Sequence, residues 1–404
     1  MAEPTRYNRN AGYIGIAVQE EMGVGVAPTH YIKYSGATSQ TPTQDYTRYV
    51  EGGDGQYSGF TVKHLHKPDG NFEAFARPDI AGIILGLLLG KQVSTGTATA
   101  GTDTTLSAAA ARGDTTISVT SATGYVAGDF IQIGVAGSTE VREIDSILID
   151  DITLTAPLGM AHDSGDAVEE VIAPVTHTLT PSEQHLLPWA TLERSIAGVL
   201  VNRFTDVRIQ SVNITGEAGQ PITMAVNYRG IDEEKQVAAG TAVYESNDPF
   251  IFYQGTYTVD AADVSAMVTN FNMNIVNTLD EADQTDEQVR AHIPLVRRDV
   301  EISWTQKFKD GDLYADTYLG GLTTPAGSIA EGGTFSMALA YGSGTSERGL
   351  TIAVPNVYMT RAEVELDAGS GESQQYSCEG HAFKGVGAEL LTVTVKNGEG
   401  ALYA

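Results

Sequence analysis

The sequence predicts a mainly β protein: two tandem β-sandwich or barrel domains, each with a short helix, plus a small all-β, Ig-like module inserted into the first. Three observations predict it. Short apolar runs alternate with Gly, Thr, Ser, Asn and Asp, and 44 of the 404 residues are glycine, a mixture that favours strands and turns over long helices. One stretch, residues 101–173, differs sharply in composition from its flanks. The remainder reads as one unit written twice.

The inserted stretch comes first because its boundaries are clearest. It holds 12 acidic residues, two arginines and no lysine. Five alternating segments follow one another: Thr115–Thr120, Phe130–Ile133, Glu140–Ile144, Ile152–Thr155 and Ala167–Val171. Turn residues such as Thr123-Gly124 and Ala127-Gly128-Asp129 separate them, the spacing of a small β module. A Thr/Ala/Gly-rich lead, Ser94–Ala111, enters the module and Pro174 closes it. The expected domains are therefore 1–100 with 174–235, the insert 101–173, and 236–404.

The repeat rests on an ungapped alignment of Val207-Arg208-Ile209 with Val357-Tyr358-Met359. It also pairs Ile214 with Val364, Glu217-Ala218-Gly219 with Asp367-Ala368-Gly369, and Gly230 with Gly380. Each copy reads as a hairpin: strand, acidic-Ala-Gly turn, return strand. Upstream, Phe60, Val62 and His64 lead to Asp69-Gly70, and Val300, Ile302 and Trp304 lead to Asp310-Gly311. A helical stretch is expected after each. The first is clear: Ile80, Ile83, Ile84, Leu87 and Leu88 form one apolar face, with Pro78 at its start and Gly90 at its end. It is expected to cover a sandwich as an amphipathic helix.

Charge and composition exclude several functions. The net charge is −27, from 51 acids against 24 bases, which disfavours gripping nucleic-acid phosphates. The one cysteine, Cys378, forms no internal disulfide and fits a reducing cytoplasm. The N-terminus shows no signal sequence, and the most apolar run, Ile80–Leu89, is too short to span a bilayer.

Catalytic signals are weak. His64-Leu65-His66 sets two imidazoles on one strand face near Asp69, but no second cluster supplies further metal ligands. His177, His185 and His292 stand alone and are expected at the surface or an interface. No nucleophile elbow and no phosphate loop is present; Gly23-Val24-Gly25-Val26 lacks the lysine and reads as a turn. No cofactor, metal site or catalytic residue is expected. An acidic run, Asp280, Glu281, Asp283, Asp286 and Glu287, reads as a solvated loop facing a lumen or a partner.

Three segments carry a resemblance. Gly15–Glu20, the turn Gly23–Gly25 and Ala27-Pro28-Thr29-His30-Tyr31-Ile32 resemble the opening of the tail tube proteins of long-tailed, non-contractile bacteriophages, the siphophages. Leu187-Pro188-Trp189-Ala190-Thr191-Leu192-Glu193-Arg194 resembles the same family, and Tyr125–Gly134 is similar to small β modules of phage virion proteins. The resemblance implies tail-tube-type domains and a structural virion protein that stacks as rings around the channel for ejected DNA. Such rings normally present six tube folds, so a chain with two would form trimers of pseudo-sixfold symmetry, or else hexamers. Implied partners are other copies of the chain, the tape measure, tail terminator and distal tail proteins, and DNA that passes without specific binding; no membrane is involved. Assembly in the host cytoplasm and residence in the virion tail follow. An acidic channel wall would repel phosphates.

On this reading the contacts between rings come from the N-terminal arm Asn8–Val26 and a polar loop Ser35–Tyr57, with Asn8, Tyr13, Glu20, Tyr46, Tyr49 and Tyr57 as candidates. Three other classes stay open: a capsid decoration or other β-rich virion protein, a carbohydrate- or receptor-binding module, and, least favoured, a hydrolase using clustered carboxylates.

Overall fold

Alternation becomes strand almost throughout. The computed structural model describes residues 12–19, 21–36, 38–49, 60–136, 138–182, 187–236, 238–280, 292–308, 333–364 and 374–400. In chain order these form β1 (Gly12–Gln19), β2 (His30–Ile32), β3 (Ser39–Tyr49), β4 (Phe60–Phe75), helix α1 (Pro78–Leu89), β5 (Gly90–Thr105), β6 (Thr116–Ser118), β7 (Phe130–Val135), β8 (Ser138–Leu148), β9 (Asp151–Leu154), β10 (Ala167–Pro181), β11 (Trp189–Ile196), β12 (Leu200–Glu217), β13 (Thr223–Arg229) and β14 (Asp232–Gln236). The chain continues with β15 (Gly255–Val259), β16 (Ala262–Asp263), β17 (Val268–Leu279), β18 (Leu295–Lys307), β19 (Gly333–Tyr341), β20 (Arg348–Val364), β21 (Gln375–Ala382) and β22 (Thr392–Asn397).

The pairing pattern occurs twice. β1 pairs with β2 and β11, and β15 pairs with β16 and β19. β4 lies between β3 and β13, and β18 lies between β17 and β21. β12 pairs with β11, β13 and β14, and β20 pairs with β19, β21 and β22. Strands β1–β4 with β11–β14 thus form one set, and β15–β22 form the other.

Irregularities recur as well. Against β11 the register of β12 shifts between Val207 and Phe204, and against β19 that of β20 shifts between Val357 and Val354. Against the return strands the shifts fall between Ile209 and Ser211 and between Met359 and Arg361. Bulges are kept within families, so shared bulges argue for one ancestral unit more firmly than a few matched residues do.

The structure corrects the sequence alignment in two places. Tyr228 faces Ile209 while Gly380 faces Met359, so Gly380 matches Tyr228 and not Gly230. Asp69-Gly70 does not end a strand. It lies inside β4 opposite Arg229 and Tyr228, and the strand continues through buried Phe72 and Ala74. Asp310-Gly311 and the helical stretch expected after it lie outside the described residues.

Helix α1 starts at Pro78, whose missing N–H costs nothing in a first turn. It ends at Gly90, where φ is 91° and the N–H donates to the Gly86 carbonyl. All of its residues are buried, so it is not the amphipathic cover expected from Ile80 to Leu88. It is enclosed by β10, β12, β20 and β22. A single apolar core runs through α1 and both strand sets, from Ile84 and Phe204 to Ile275, Ile302, Ile352 and Val395.

The insert has its own core: Leu106, Ile117, Ile131, Ile133, Ile144, Ile152, Leu154 and Val168 among others. Much of its Thr/Ala/Gly-rich lead is strand, because residues 90–105 form β5 and pair with β10. Threonine suits a pleated, half-exposed strand, and Gly96 lies so close to Val171 that a Cβ there would stand 2.5 Å from it. Pro174 does not end the module strand either; it sits in the irregularity between Ile172 and Thr176, and β10 runs on to Pro181. Within the polar loop expected at Ser35–Tyr57, Ser39–Tyr49 is likewise strand, β3, laddered to β4.

Candidate assembly interface

The two strand sets join edge to edge. β12 of the first pairs with β17 of the second from Ser211 opposite Val276 to Glu217 opposite Asn270. This produces one run of strands in the order β3, β4, β13, β12, β17, β18, β21, β20.

Side chains lock the junction at its Ser211–Val276 end, on both faces of the sheet. Leu187, Ile231, Leu279, Ile293 and Leu295 form a small apolar cluster there, flanked by Trp189. Arg208 lies 3.8 Å from the Trp189 ring centroid and donates to the carbonyls of Ile293 and Leu187. On the core side, the C-terminal carbonyls of α1 are capped by the second set. Asn277 Nδ2 donates to Leu88 O at 2.9 Å, and Arg298 Nη2 donates to the same carbonyl at 2.9 Å. Arg298 Nε also donates to Asn277 Oδ1 at 2.7 Å. A cation at a helix C-terminus complements its dipole. Burial lowers both Arg208 and Arg298 to about 10, so each stays charged at neutral pH.

One face of this sheet covers the core and the other is open. The open face carries amides and hydroxyls: Asn227 beside Ser211 (2.8 Å), Asn213 opposite Asn274, Thr215 opposite Asn272, and Ser303 and Thr305 on β18. Two of its arginines are ion-paired. Arg361 reaches Glu379 at 3.0 Å and also Glu363, and Arg297 reaches Asp299 at 2.8 Å.

The outer edges of the run are β3 and the 358–364 part of β20. Among the described residues, β3 ladders with β4 alone, and that part of β20 with β21 alone. An edge strand presents unpaired N–H and C=O groups to another chain.

The residues singled out in the sequence fall into different places. Tyr13 is buried; its hydroxyl donates to Glu193 at 2.5 Å and accepts from the Gly240 N–H, so it belongs to the interior of the first set. Burial is the main cause that pushes its ionisation far above the ordinary tyrosine value, with the Glu193 carboxylate adding to it. Tyr46 is 56% exposed on β3, with the Arg48 guanidinium 5.4 Å from its ring centroid. Tyr49 ends β3 opposite Phe60. Asp280 is exposed just after β17, and its N–H donates to Pro294 O. Asn8, Glu20, Tyr57, Glu281, Asp283, Asp286 and Glu287 lie outside the described residues.

His177 is not a surface residue. It is fully buried on β10, between β5 and β22, with Nδ1 2.7 Å from Ser94 Oγ and Nε2 3.1 Å from Asn397 Oδ1. Burial lowers its pKa to about 4. His66 Nε2 lies 3.3 Å from Glu233 Oε2. Among the described residues, no group of three or more His, Cys, Asp or Glu is placed to hold a metal ion. Arg208, Asn277 and Arg298 were not singled out in the sequence. Nothing local marks them, because their roles depend on a helix and strands far away in the chain.

A repeated sheet, joined edge to edge inside the chain and left open at both outer edges, defines a strand-built structural subunit. The chain belongs to the phage tail tube protein family, whose pattern it matches over residues 9–380. It is a structural protein of a bacteriophage tail, a component of the virion, and that family is not an enzyme family. No curated protein matches the chain. Among the described residues, no helix is long and apolar enough to cross a membrane.

Proposed function

We propose that the chain forms stacked rings, three copies to a ring, around the channel through which a siphophage ejects its DNA. The observation that carries this reading is the internal β12–β17 junction. It joins two equivalent strand sets edge to edge, and each set leaves one further edge for the same kind of pairing. Three chains then supply six equivalent sets and close the sheet, leaving no edge exposed. Pro42, on the β3 edge, withholds one donor and guards that edge against indiscriminate pairing.

The open face lines the channel. Its amides and hydroxyls bind water, and Arg297 and Arg361 on it are already matched by carboxylates. Passing phosphates find no row of free Lys and Arg to hold them, so the duplex slides. Domains 1–100 with 174–235 and 236–404 are the two tube domains, and the insert 101–173, which carries much of the acid excess, stands on the outer surface. The tape measure, terminator and distal tail proteins meet the tube in its bore and at its ends, and assembly takes place in the host cytoplasm.

Negative-stain electron microscopy of the purified chain at low and high concentration tests this. Hollow, regularly banded tubes or closed rings are expected. Particles that stay single at every concentration, even with an assembly initiator supplied, would refute it.

A further inference from the structure

The junction inside the chain is a template for the junction between chains, and the ladders fix the correspondence. Phe72 faces Val226, and Trp304 faces Cys378. One strand further, Val226 faces Val212 and Cys378 faces Ala362. Phe72 therefore corresponds to Trp304, and Val212 to Ala362. On the other side, Asn71 faces Ser39 and Ser303 faces Asn272, so Ser39 corresponds to Asn272. Within the chain Asn213 faces Asn274. Carried to the outer edges, that rung sets Glu363 of one chain opposite Thr41 of the next.

The same correspondence reaches the apolar end of the junction. Leu279 stands just past the register shift of β17 on β18, opposite Leu295. Tyr46 stands just past the matching shift of β3 on β4, opposite Lys63. Arg208 corresponds to Tyr358 and Ile231 to Phe383. The internal positions are buried, but their counterparts on the outer edges are exposed: Tyr46 by 56%, Tyr358 by 41% and Phe383 by 37%. Three exposed aromatics stand where an equivalent, completed junction has a closed cluster, which is the mark of a surface awaiting its partner.

We infer that the β20 edge of one chain pairs with the β3 edge of a second copy with Glu363 opposite Thr41, and that Tyr46 of that copy closes over Tyr358 and Phe383. The inference rests on the ring reading above and adds a register and a side-chain cluster to it. Tyr46 then belongs to the contact within a ring and not to the contact between rings.

Paired cysteines test the register. Thr41→Cys with Glu363→Cys is introduced into the full chain, which is assembled and oxidised, then run on a denaturing gel without reductant. Native Cys378 is buried, with its thiol pushed up to about 12 by burial, and does not compete. Disulfide-linked dimers and trimers are expected for the double variant and for neither single variant. The shifted pair, Pro42→Cys with Glu363→Cys, places its two side chains on opposite faces and should not link. A second variant, Tyr358→Ala with Phe383→Ser, should stay folded and raise the concentration needed for assembly about tenfold or more, as loss of an aromatic anchor does. Rings that form without cross-linking, or that link better through the shifted pair, would overturn the register. Assembly unchanged by the aromatic substitutions would overturn the cluster. No rings from the unmodified chain would instead count against the ring reading.

Discussion

Replacing His177 with glutamine should change how stability depends on pH, and the size of the effect follows from where the ring sits. The imidazole is sealed on β10, between β5 and β22, and burial lowers its pKa from 6.5 to about 4. The unfolded chain therefore binds this proton more readily than the folded chain. Stability is at its full value above about pH 6.5 and falls as the pH drops towards 4. At about 1.4 kcal/mol per pH unit, the loss is about 2 kcal/mol between pH 7 and pH 5 and about 3.4 kcal/mol in all. Glutamine cannot take up that proton. At neutral pH the variant should be less stable by about 1–2 kcal/mol, because the hydrogen bonds to Ser94 and Asn397 are disturbed. Its stability should then fall less steeply on acidification. Urea unfolding at several pH values between 7.5 and 4.5 measures both slopes. Curves for the two proteins that run parallel would refute the reasoning.

Four further outcomes are expected. Asp79 has its pKa raised to about 8 by burial and by the nearby Glu399 and Glu245 carboxylates, so its contribution is lost as pH rises from about 4 towards 8. Asp79→Asn should raise stability at pH 8, by about 1–2 kcal/mol, and little at pH 4 in the same urea assay. Arg298→Met uncaps the C-terminal carbonyls of α1 and leaves Asn277 Oδ1 without its donor; a loss of about 2 kcal/mol is expected by urea unfolding. Ile149 is 85% exposed with φ 60°, a conformation costly for a β-branched side chain, so Ile149→Asn should raise the thermal midpoint slightly, by about 1 kcal/mol in stability. Deleting Ala37–Gly55 removes β3, and the product should remain folded and soluble by circular dichroism yet form no tubes in the electron microscope.

Much of the fold was legible because strand signals are local. The insert strands around Ile117, Ile131, Val141 and Ile152 lie where apolar alternation put them, and Pro78 and Gly90 bound the helix. The segments misread were those whose partners are distant. Ser39–Tyr49 looks like a polar loop because its strand nature comes from pairing with β4, and an edge strand needs few apolar residues. Helix α1 looks amphipathic because Ile80 to Leu88 form a strong stripe, while its remaining residues, Asp79, Gly82 and Gly86 among them, are buried as well. Asp69-Gly70 looks like a strand end because its dipeptide preference is local, and it is overridden by the ladder to Arg229 and Tyr228. The repeat was visible along Val207–Ile214 and Val357–Val364, but its extent was not, since the two sets share bulges and pairing order more than residues. The interface was the least legible. Arg208 and Arg298 are ordinary charges in sequence, and Tyr358 and Phe383 gain meaning only beside the completed junction at Leu279 and Ile231.

The central claim is that two equivalent strand sets in one chain close a ring of three. The rotational symmetry and chain count of rings imaged by electron cryomicroscopy test it most directly. Three chains per ring, six similar lobes and a sheet continuous from β20 of one chain to β3 of the next are predicted. Six chains per ring, or rings in which those edges do not meet, would contradict it.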